Sequence, residues 1–207
     1  KQGVIEPSWN VPGSIGCWRG CTLDRAVSNF ESFKNHVSVL FWSLGNESYA
    51  GDILVEMNRY YKEKDPDRLV HYEGVAENRP YEDLISDMES QMYAPPEKIK
   101  EYLENNPKKP FILCEYMHDM GNSLGGMESY IRLLDQYEDY QGGFIWDYID
   151  QALFVKDEVT GRDVLRYGGD FDDRPSDYEF SGNGILFADR TEKPAMQEVR
   201  HYYGLRR

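Results

Sequence analysis

The chain has 207 residues, of which 40% are hydrophobic and 14% aromatic, which is enough for one large domain or two small ones. Its formal net charge of −14 argues against nucleic acid or an anionic membrane surface as a partner, because both require a basic patch. We find no run of 18 apolar residues, so we expect no membrane-spanning helix.

Strands and helices are predicted to alternate in the first half of the chain. An apolar run predicts a strand buried on both faces, and apolar residues at three- and four-residue steps predict helices. In chain order the candidates are a strand at VIEP (4–7), a helix from Leu23 to about Asn35, a strand at VSVLFWSL (37–44), a helix through Ile53, Leu54, Met57, Tyr60 and Tyr61 with Asp52 as its cap, and a strand at LVHYEG (69–74).

The second half continues this alternation and then changes character. The candidates are a weaker strand at DLISDMES (83–90), a helix from Pro96 to about Leu103, a strand at FILCEY (111–116), a helix from Met127 to about Tyr137, and a strand at GGFIWDYID (142–150). Beyond Gln151 the stretch 154–171 is typical of a hairpin around Thr160-Gly161.

Alternating strands and helices indicate an α/β fold with parallel strands, either doubly wound or a (β/α)8 TIM barrel. Polar residues at the ends of several strands favour the barrel, because a barrel builds its site there; they are Asn46, Glu47, Glu73, Glu115, Asp147 and Asp150. The glycine-rich GNSLGG (121–126) follows a late strand and lacks the acidic partner of a nucleotide-binding loop.

At most six strands can be counted, whereas a barrel needs eight. We therefore expect about strands three to eight of a barrel over residues 1–190, with 191–207 as a linker towards a following domain. The first two strands would then lie upstream, and the abrupt opening KQGVIEPSW also indicates a piece of a longer polypeptide.

Two glutamates are candidates for acid–base chemistry. Glu47 and Glu115 each close an apolar strand, and they lie 68 residues apart in the sequence. Glycoside cleavage requires one carboxyl group that donates a proton and one that attacks or stabilises the sugar cation. The alternative interpretation is that each residue is an exposed loop glutamate that forms a salt bridge.

Two further side chains and the cysteines have ordinary alternatives as well. His118 could bind a sugar hydroxyl or be merely solvated, and Trp146 could stack on a sugar face or fill the core. Cys17 and Cys21 lack metal-ligand spacing, and Cys114 suits a buried position. Unpaired cysteines favour a cytoplasmic location, with a secreted or cell-surface one left open.

Four ordered motifs carry a resemblance to a known family: SLGNES (43–48), LCEYMHDMGNSLGG (113–126), GGFIWDYIDQAL (142–153) and YGGDF…NGILFADRTEKPA (167–195). They resemble successive signatures of the β-galactosidases of glycoside hydrolase family 2, whose fold is a (β/α)8 barrel set among β-sandwich domains. The β-glucuronidases of this family match less well, because their nucleophile motif lacks the MHDMGNS continuation.

The resemblance implies a retaining β-galactosidase acting on terminal β-D-galactosyl residues such as those of lactose. Glu47 would be the general acid/base and Glu115 the nucleophile. The remaining side chains with an implied role in binding the sugar are Asn46, Tyr93, His118, Trp146 and Asn183.

The resemblance also implies metal ions. Phe180, through its backbone carbonyl, and Asn183 match positions that help to hold a sodium ion. The family's E-x-H-G magnesium pattern aligns with NVPG (10–13), so Asn10 and Pro12 would replace both side chains and leave Glu47 as a lone magnesium ligand. Either the magnesium site is absent or this segment aligns differently.

The expected partner is thus a β-galactoside, with no nucleic acid and no membrane, within a longer multidomain chain and a homo-oligomer. The alternative is an incomplete barrel that binds sugar or complements other segments without turnover.

Overall fold

A computed structural model describes residues 11–204 of the chain. The described residues form two compact units. The first extends to Met92 and also includes Tyr102–Cys114, and the second comprises Tyr93–Glu101 together with the chain from Glu115 onward.

Helices and strands alternate up to residue 145, as the sequence predicted. In chain order they are α1 (Arg19–Phe33), β1 (Phe41–Ser43), α2 (Asp52–Lys64), β2 (Leu69–His71), α3 (Glu82–Ile85), β3 (Glu89–Met92), α4 (Pro96–Glu104), β4 (Phe111–Tyr116), α5 (Met127–Gln136), β5 (Tyr140–Ile145), β6 (Leu153–Lys156), β7 (Asp163–Arg166) and α6 (Met196–Gly204). Within residues 11–204, no helix combines the length and the apolar character needed to cross a bilayer.

A short parallel pair of strands, β1 and β2, lies at the centre of the first unit. Trp42 of β1 is in register with Val70 of β2, and both side chains are buried. The ring of Trp42 stacks on Tyr61 of α2 at a centroid distance of 5.2 Å and contacts Phe30 of α1 at 5.5 Å. This aromatic packing anchors β1, so the chain that follows Ser43 starts from a fixed position.

Strand β4 is the central strand of a three-stranded sheet with the order β3-β4-β5. Phe111, Ile112 and Leu113 are all buried, as expected for an apolar run covered on both faces. Glu115, near the carboxyl end of the strand, is half-buried.

The core of the second unit includes Met127 of α5, Val199 of α6 and the loop residues Ile185 and Leu186. The backbone N–H of Met127 donates to the Glu198 carboxylate at 2.8 Å. An acidic side chain thus satisfies a free donor at the start of α5, where the helix dipole also favours negative charge.

The predicted hairpin near the end of the chain is confirmed. β6 and β7 pair antiparallel, with Leu153 opposite Arg166 and Lys156 opposite Asp163. Gly161 lies in the connecting turn at a φ of 67°, a left-handed conformation that glycine adopts without strain.

Several predicted elements need correction. The strand expected over 37–44 is confined to Phe41–Ser43, where only Trp42 is buried, and Val37 and Leu40 before it are exposed. The strand expected over 83–90 is wrong in its first half, which is the helix α3; β3 begins only at Glu89. Two acidic residues, Glu82 and Asp83, lie in the first turn of α3, where the helix dipole stabilises them. The strand at VIEP (4–7) lies outside the described residues.

Asp52 is not the cap of α2 but its first residue. Gly51 occupies the cap position and offers no side chain. The hydroxyl of Ser14 takes over this role by accepting the Asp52 backbone N–H at 3.1 Å. A cap supplied from a distant segment is invisible to local sequence patterns.

The strand predicted over 142–150 also ends early, at Ile145. Beyond it, the Asp147 N–H donates to the Asn183 carbonyl at 2.8 Å instead of continuing a strand ladder. Trp146 and Tyr148 therefore follow β5 rather than alternating within it.

The strands of residues 11–204 form a two-stranded, a three-stranded and a second two-stranded sheet. They do not close into a barrel within this part of the chain. The assignment to strands three to eight, and the boundary at residue 190, stay predictions.

A buried histidine, His71, lies between two serine hydroxyl groups in the first unit. His71 of β2 is 4% exposed, and its two ring nitrogens lie 2.9 Å from the Ser43 hydroxyl and 2.7 Å from the Ser90 hydroxyl. Burial lowers its pKa from 6.5 to about 4, because the charged imidazolium would lose its hydration.

This pKa shift makes the fold sensitive to acid. Between pH 6.5 and about 4 the unfolded chain binds a proton at His71 that the folded chain does not bind. The free energy of unfolding therefore decreases as the pH falls through this window, by roughly 3 kcal/mol in total.

We predict that His71→Gln reduces this acid sensitivity. Between pH 7 and pH 5 its free energy of unfolding should fall by about 2 kcal/mol less than that of the unmodified protein. Denaturant titrations at the two pH values measure the difference. The matched control is His36→Gln, since His36 is exposed. Full retention of the acid sensitivity in His71→Gln would contradict the account.

Candidate active site

Glu47 lies in the loop that follows β1. Its side chain is exposed, and its backbone adopts a φ of 52°, in the left-handed region that residues other than glycine seldom occupy. Such outliers persist only where the surroundings impose them, and they concentrate at functional sites. Asn46 precedes it and is also exposed.

The backbone around Glu47 is held by the residues that follow β2. The Glu47 N–H donates to the Glu73 carboxylate at 2.6 Å, and the hydroxyl of Tyr72 donates to the Ser48 carbonyl. Burial raises the pKa of the Tyr72 hydroxyl, which keeps it in the protonated, donating form.

Glu115 is the fifth residue of β4, and its carboxylate accepts a hydrogen bond from the Tyr93 hydroxyl at 2.7 Å. The backbone of the same two residues is also joined, since the Tyr93 N–H donates to the Glu115 carbonyl at 2.9 Å. Tyr93 has a φ of 52°, a second left-handed residue beside a candidate carboxylate. This double attachment fixes the tyrosine against Glu115.

A row of rings extends from Tyr93. Its ring centroid lies 5.8 Å from that of His118, and His118 in turn lies 5.4 Å from Phe180 in an edge-to-face arrangement. The second unit thus brings Glu115 together with the predicted residues Tyr93, His118 and Phe180.

Trp146 is tied to the same segment through its backbone. Its N–H donates to the Tyr116 carbonyl and its carbonyl accepts from the Asp119 N–H, each at 2.9 Å. The indole is half-buried, which is compatible either with stacking on a ligand or with packing. Backbone pairing therefore fixes Trp146 relative to the segment that carries Glu115 and His118.

Asn183 adjoins Phe180 and has an unusual side chain. It is 3% exposed, its amide nitrogen lies 2.5 Å from the Phe180 carbonyl, and its buried amide oxygen has no hydrogen-bond partner. With its amide turned by 180°, Asn183 would place its oxygen beside the Phe180 carbonyl oxygen. That arrangement fits a hard cation, which prefers oxygen ligands.

Only part of the segment aligned with the magnesium pattern lies among the described residues. Asn10 lies outside the described residues, whereas Pro12 is buried and forms an isolated bridge with Tyr49. Across residues 11–204, no group of three or more His, Cys, Asp or Glu side chains is arranged to hold a metal ion.

A buried ion pair near Asn183 was missed by sequence reasoning. The Lys193 ammonium donates to the Asp150 carboxylate at 2.8 Å and to the Gly182 carbonyl at 3.1 Å. The Gly184 N–H donates to the same carboxylate at 2.8 Å. These bonds hold the chain on both sides of Asn183, and the sequence separation of 43 between Lys193 and Asp150 hides the pairing from local patterns.

Asp119 was also missed, although it directly follows His118. It is 2% exposed, one of its carboxylate oxygens has no partner, and burial raises the pKa of its carboxyl group. The positive charge of Lys193 opposes this rise in pKa, and the negative charge of Asp150 adds to it. The His118 segment therefore shares one electrostatic environment with the Lys193–Asp150 pair.

We predict that Lys193→Met lowers the free energy of unfolding by about 3 kcal/mol, because it leaves a buried carboxylate without its counter-charge. Chemical denaturation measures the loss. The control is Lys156→Met, which breaks the exposed Lys156–Asp163 pair and should cost less than about 0.5 kcal/mol. Equal losses in the two variants would contradict the assignment of a buried, structurally important pair.

Glu47 and Asn46 belong to the first unit, while the other predicted site residues belong to the second. The separation of the two carboxyl groups stays a prediction.

The chain is similar to known proteins over nearly its whole length. Residues 1–206 match the family model described as "Glycosyl hydrolases family 2, TIM barrel domain". The chain is 72% identical over 204 residues to the β-galactosidase large subunit of Latilactobacillus sakei, covering 99% of this chain and 33% of that protein. It is 60% identical over 203 residues to a β-galactosidase of Halalkalibacterium halodurans, covering 98% and 20%. The chain thus spans a third or less of the length of these relatives.

Solved structures with the same fold are more distant in sequence. A β-glucuronidase of Lactobacillus rhamnosus has a TM-score of 0.62 at 17% identity, with 98% of this chain and 38% of that chain covered. A β-galacturonidase of Eisenbergiella tayi bound to galacturonate has a TM-score of 0.58 at 15% identity, covering 91% and 37%. At such identities the likeness concerns the fold alone.

Proposed function

Because the chain belongs to glycosyl hydrolase family 2, we propose that it supplies the catalytic carboxylates of a retaining β-galactosidase. The observation that carries the proposal is the high identity, over almost the whole chain, to proteins named β-galactosidase. The hydrogen bond between Tyr93 and Glu115 supports it, since it fixes one candidate carboxylate beside a polar group.

In the first step, a Glu115 carboxylate oxygen attacks the anomeric carbon of the galactosyl unit. The bond from that carbon to the leaving oxygen breaks, and the carboxyl group of Glu47 donates its proton to that oxygen. The products are the free leaving group and a galactosyl ester on Glu115. Attack from the opposite face inverts the anomeric configuration.

In the second step, Glu47 is ionised and removes a proton from water, whose oxygen attacks the same carbon. The ester bond to Glu115 breaks, and the second inversion restores the original configuration. Both steps require the two carboxyl groups on opposite sides of one sugar, about 5 Å apart.

The other site residues act on the sugar rather than on the reacting bond. Asn46 beside Glu47 binds the 2-hydroxyl, where contacts strengthen in the transition state. His118 donates to a sugar hydroxyl, and Trp146 forms an aromatic platform for the ring. Tyr93 orients the Glu115 carboxylate through the bond described above.

We propose a sodium ion as a structural and binding partner. The Phe180 carbonyl and the Asn183 amide oxygen would supply two ligands once the amide is turned, which the close approach of the Asn183 amide to that carbonyl supports. The ion would offer an oxygen-binding charge to a sugar hydroxyl. Nothing in the described residues supports magnesium at Glu47, and no step depends on it.

The proposal extends to the context of the chain. Its match to a third or less of its relatives supports a longer polypeptide, of which this chain would contribute about strands three to eight of the barrel. Lactose is the natural substrate to test first, and a homo-oligomeric assembly is part of the same proposal.

Paired substitutions of the two glutamates test the mechanism in the full-length protein that carries this chain. We expect Glu115→Ala to abolish hydrolysis of aryl β-galactosides, and added azide to yield α-galactosyl azide, since azide then occupies the nucleophile's face. We expect Glu47→Ala with azide to yield β-galactosyl azide instead. NMR of the products separates the two anomers.

The control for these variants is Glu128→Ala, which removes an exposed glutamate paired with Arg132. Aryl β-glucuronides serve as the comparison substrate. Solved β-glucuronidases share the fold of this chain at low sequence identity, so this comparison tests whether the chain acts on galactosides rather than glucuronides. Undiminished hydrolysis by Glu115→Ala, or preference for the glucuronide in the unmodified protein, would refute the proposed function.

Removal of the Tyr93 hydroxyl tests the support of Glu115. We predict that Tyr93→Phe lowers kcat by about 100-fold, because one oriented donor at the reacting centre is lost. The control is Tyr102→Phe, whose hydroxyl donates to the Lys109 carbonyl at 2.9 Å and should leave kcat within about threefold. A Tyr93→Phe variant with unchanged kcat would remove this residue from the site.

A further inference from the structure

Two consecutive residues hold the backbone on both sides of Glu47. Glu73 accepts the Glu47 N–H at 2.6 Å, and Tyr72 donates its hydroxyl to the Ser48 carbonyl. We call these two side chains the Tyr72–Glu73 clamp. They follow β2 directly, and β2 is paired in register with β1, from which the Glu47 loop departs.

The clamp is buried although the residue it holds is exposed. Tyr72 is 0% exposed and Glu73 is 7% exposed. A carboxylate withdrawn from water needs specific hydrogen bonds to offset its lost hydration. The short bond to the Glu47 N–H is therefore a built contact rather than a chance surface encounter.

Local geometry leaves little freedom for an alternative arrangement. A Cβ atom at Gly74 would lie 2.8 Å from the Ser48 carbonyl oxygen and 2.5 Å from the Tyr72 ring. Only glycine allows the two segments to approach this closely. Two further bonds extend the attachment: the Leu44 N–H donates to the His71 carbonyl at 3.1 Å, and the Asn78 amide donates to the Ala50 carbonyl at 2.7 Å.

We propose that Glu73 is a positioning residue for the general acid/base: by accepting the Glu47 N–H, its carboxylate holds Glu47 in the left-handed conformation that directs its side chain. This inference rests on the proposed function of Glu47. Glu73 is a positioning residue rather than a catalytic one, because its contact is with the backbone of Glu47. It acts through the backbone of Glu47, where a displacement of about 1 Å can cost on the order of 100-fold in rate.

A positioning role differs from a merely structural one in its dependence on the leaving group. A misplaced acid slows the departure of alcohols that need a proton, but not of nitrophenolates that depart without one. Loss of folded protein would instead lower the rate with every substrate equally. The ratio of kcat/KM for phenyl and 2,4-dinitrophenyl β-galactoside therefore isolates the proposed role.

The test uses the full-length protein with Glu73→Met, Glu73→Gln and Tyr72→Phe. Glu73→Met removes the acceptor oxygen, and we expect kcat/KM to fall about 10- to 100-fold for phenyl galactoside and less than about threefold for the dinitrophenyl substrate. Glu73→Gln keeps an acceptor oxygen and should restore the phenyl rate to within about threefold. Tyr72→Phe removes the hydrogen bond to the Ser48 carbonyl on the other side of the loop, so it should shift the ratio of the two kcat/KM values in the same direction. If Glu73→Met does not fold, Tyr72→Phe provides the test.

Two reference variants separate the possible failures. Glu89→Gln alters another buried glutamate, held by Arg79 at 2.6 Å, and should leave the ratio unchanged. Glu47→Gln should show the full leaving-group dependence. If it does not, the proposed function fails and the inference with it. If Glu47→Gln behaves as expected but the clamp variants lower both substrates equally, the inference alone is overturned.

Discussion

The attachment of each candidate carboxylate to a buried strand is the constraint on which the rest depends. Glu47 follows β1, whose Trp42 is held among the rings of α1 and α2, and Glu115 lies near the end of β4 behind three buried apolar residues. Packing fixes both starting points, since Phe111, Ile112 and Leu113 of β4 are buried and β1 is anchored through the buried Trp42. The neighbouring residues then refine the direction of each carboxylate: Tyr93 through its hydroxyl for Glu115, and Glu73 through the backbone for Glu47.

The local parts of the fold could be predicted from the sequence. Continuous apolar runs and three- to four-residue periodicity located β4, α2, α5 and the C-terminal part of the run that contains β1, because these signals arise within a few residues. The errors occurred where distant segments decide. Ser14 supplies the cap that was predicted at Asp52, and the Asn183 carbonyl accepts the Asp147 N–H, which ends the pairing of β5 at Ile145.

Sequence reasoning proposed the residues of the candidate site but not the contacts that hold them. Apolar runs that end on polar residues selected Glu47 and Glu115 as candidates, and the family resemblance added Tyr93, His118 and Asn183 as further candidates. The bond from Glu47 to Glu73 spans 26 residues and that from Lys193 to Asp150 spans 43, so only the folded chain reveals them. Glu73 was visible as the polar end of a strand, but its partner was not.

The covalent step on Glu115 is the central claim, and mechanism-based labelling tests it most directly. 2-Deoxy-2-fluoro-β-D-galactosyl fluoride should lose fluoride to an attacking carboxylate and leave a long-lived fluorogalactosyl ester, because the electronegative substituent slows its hydrolysis. After proteolysis, mass spectrometry should find the added mass on the peptide that contains FILCEY, at Glu115. A label on another residue, or time-dependent inactivation without any ester, would contradict the account.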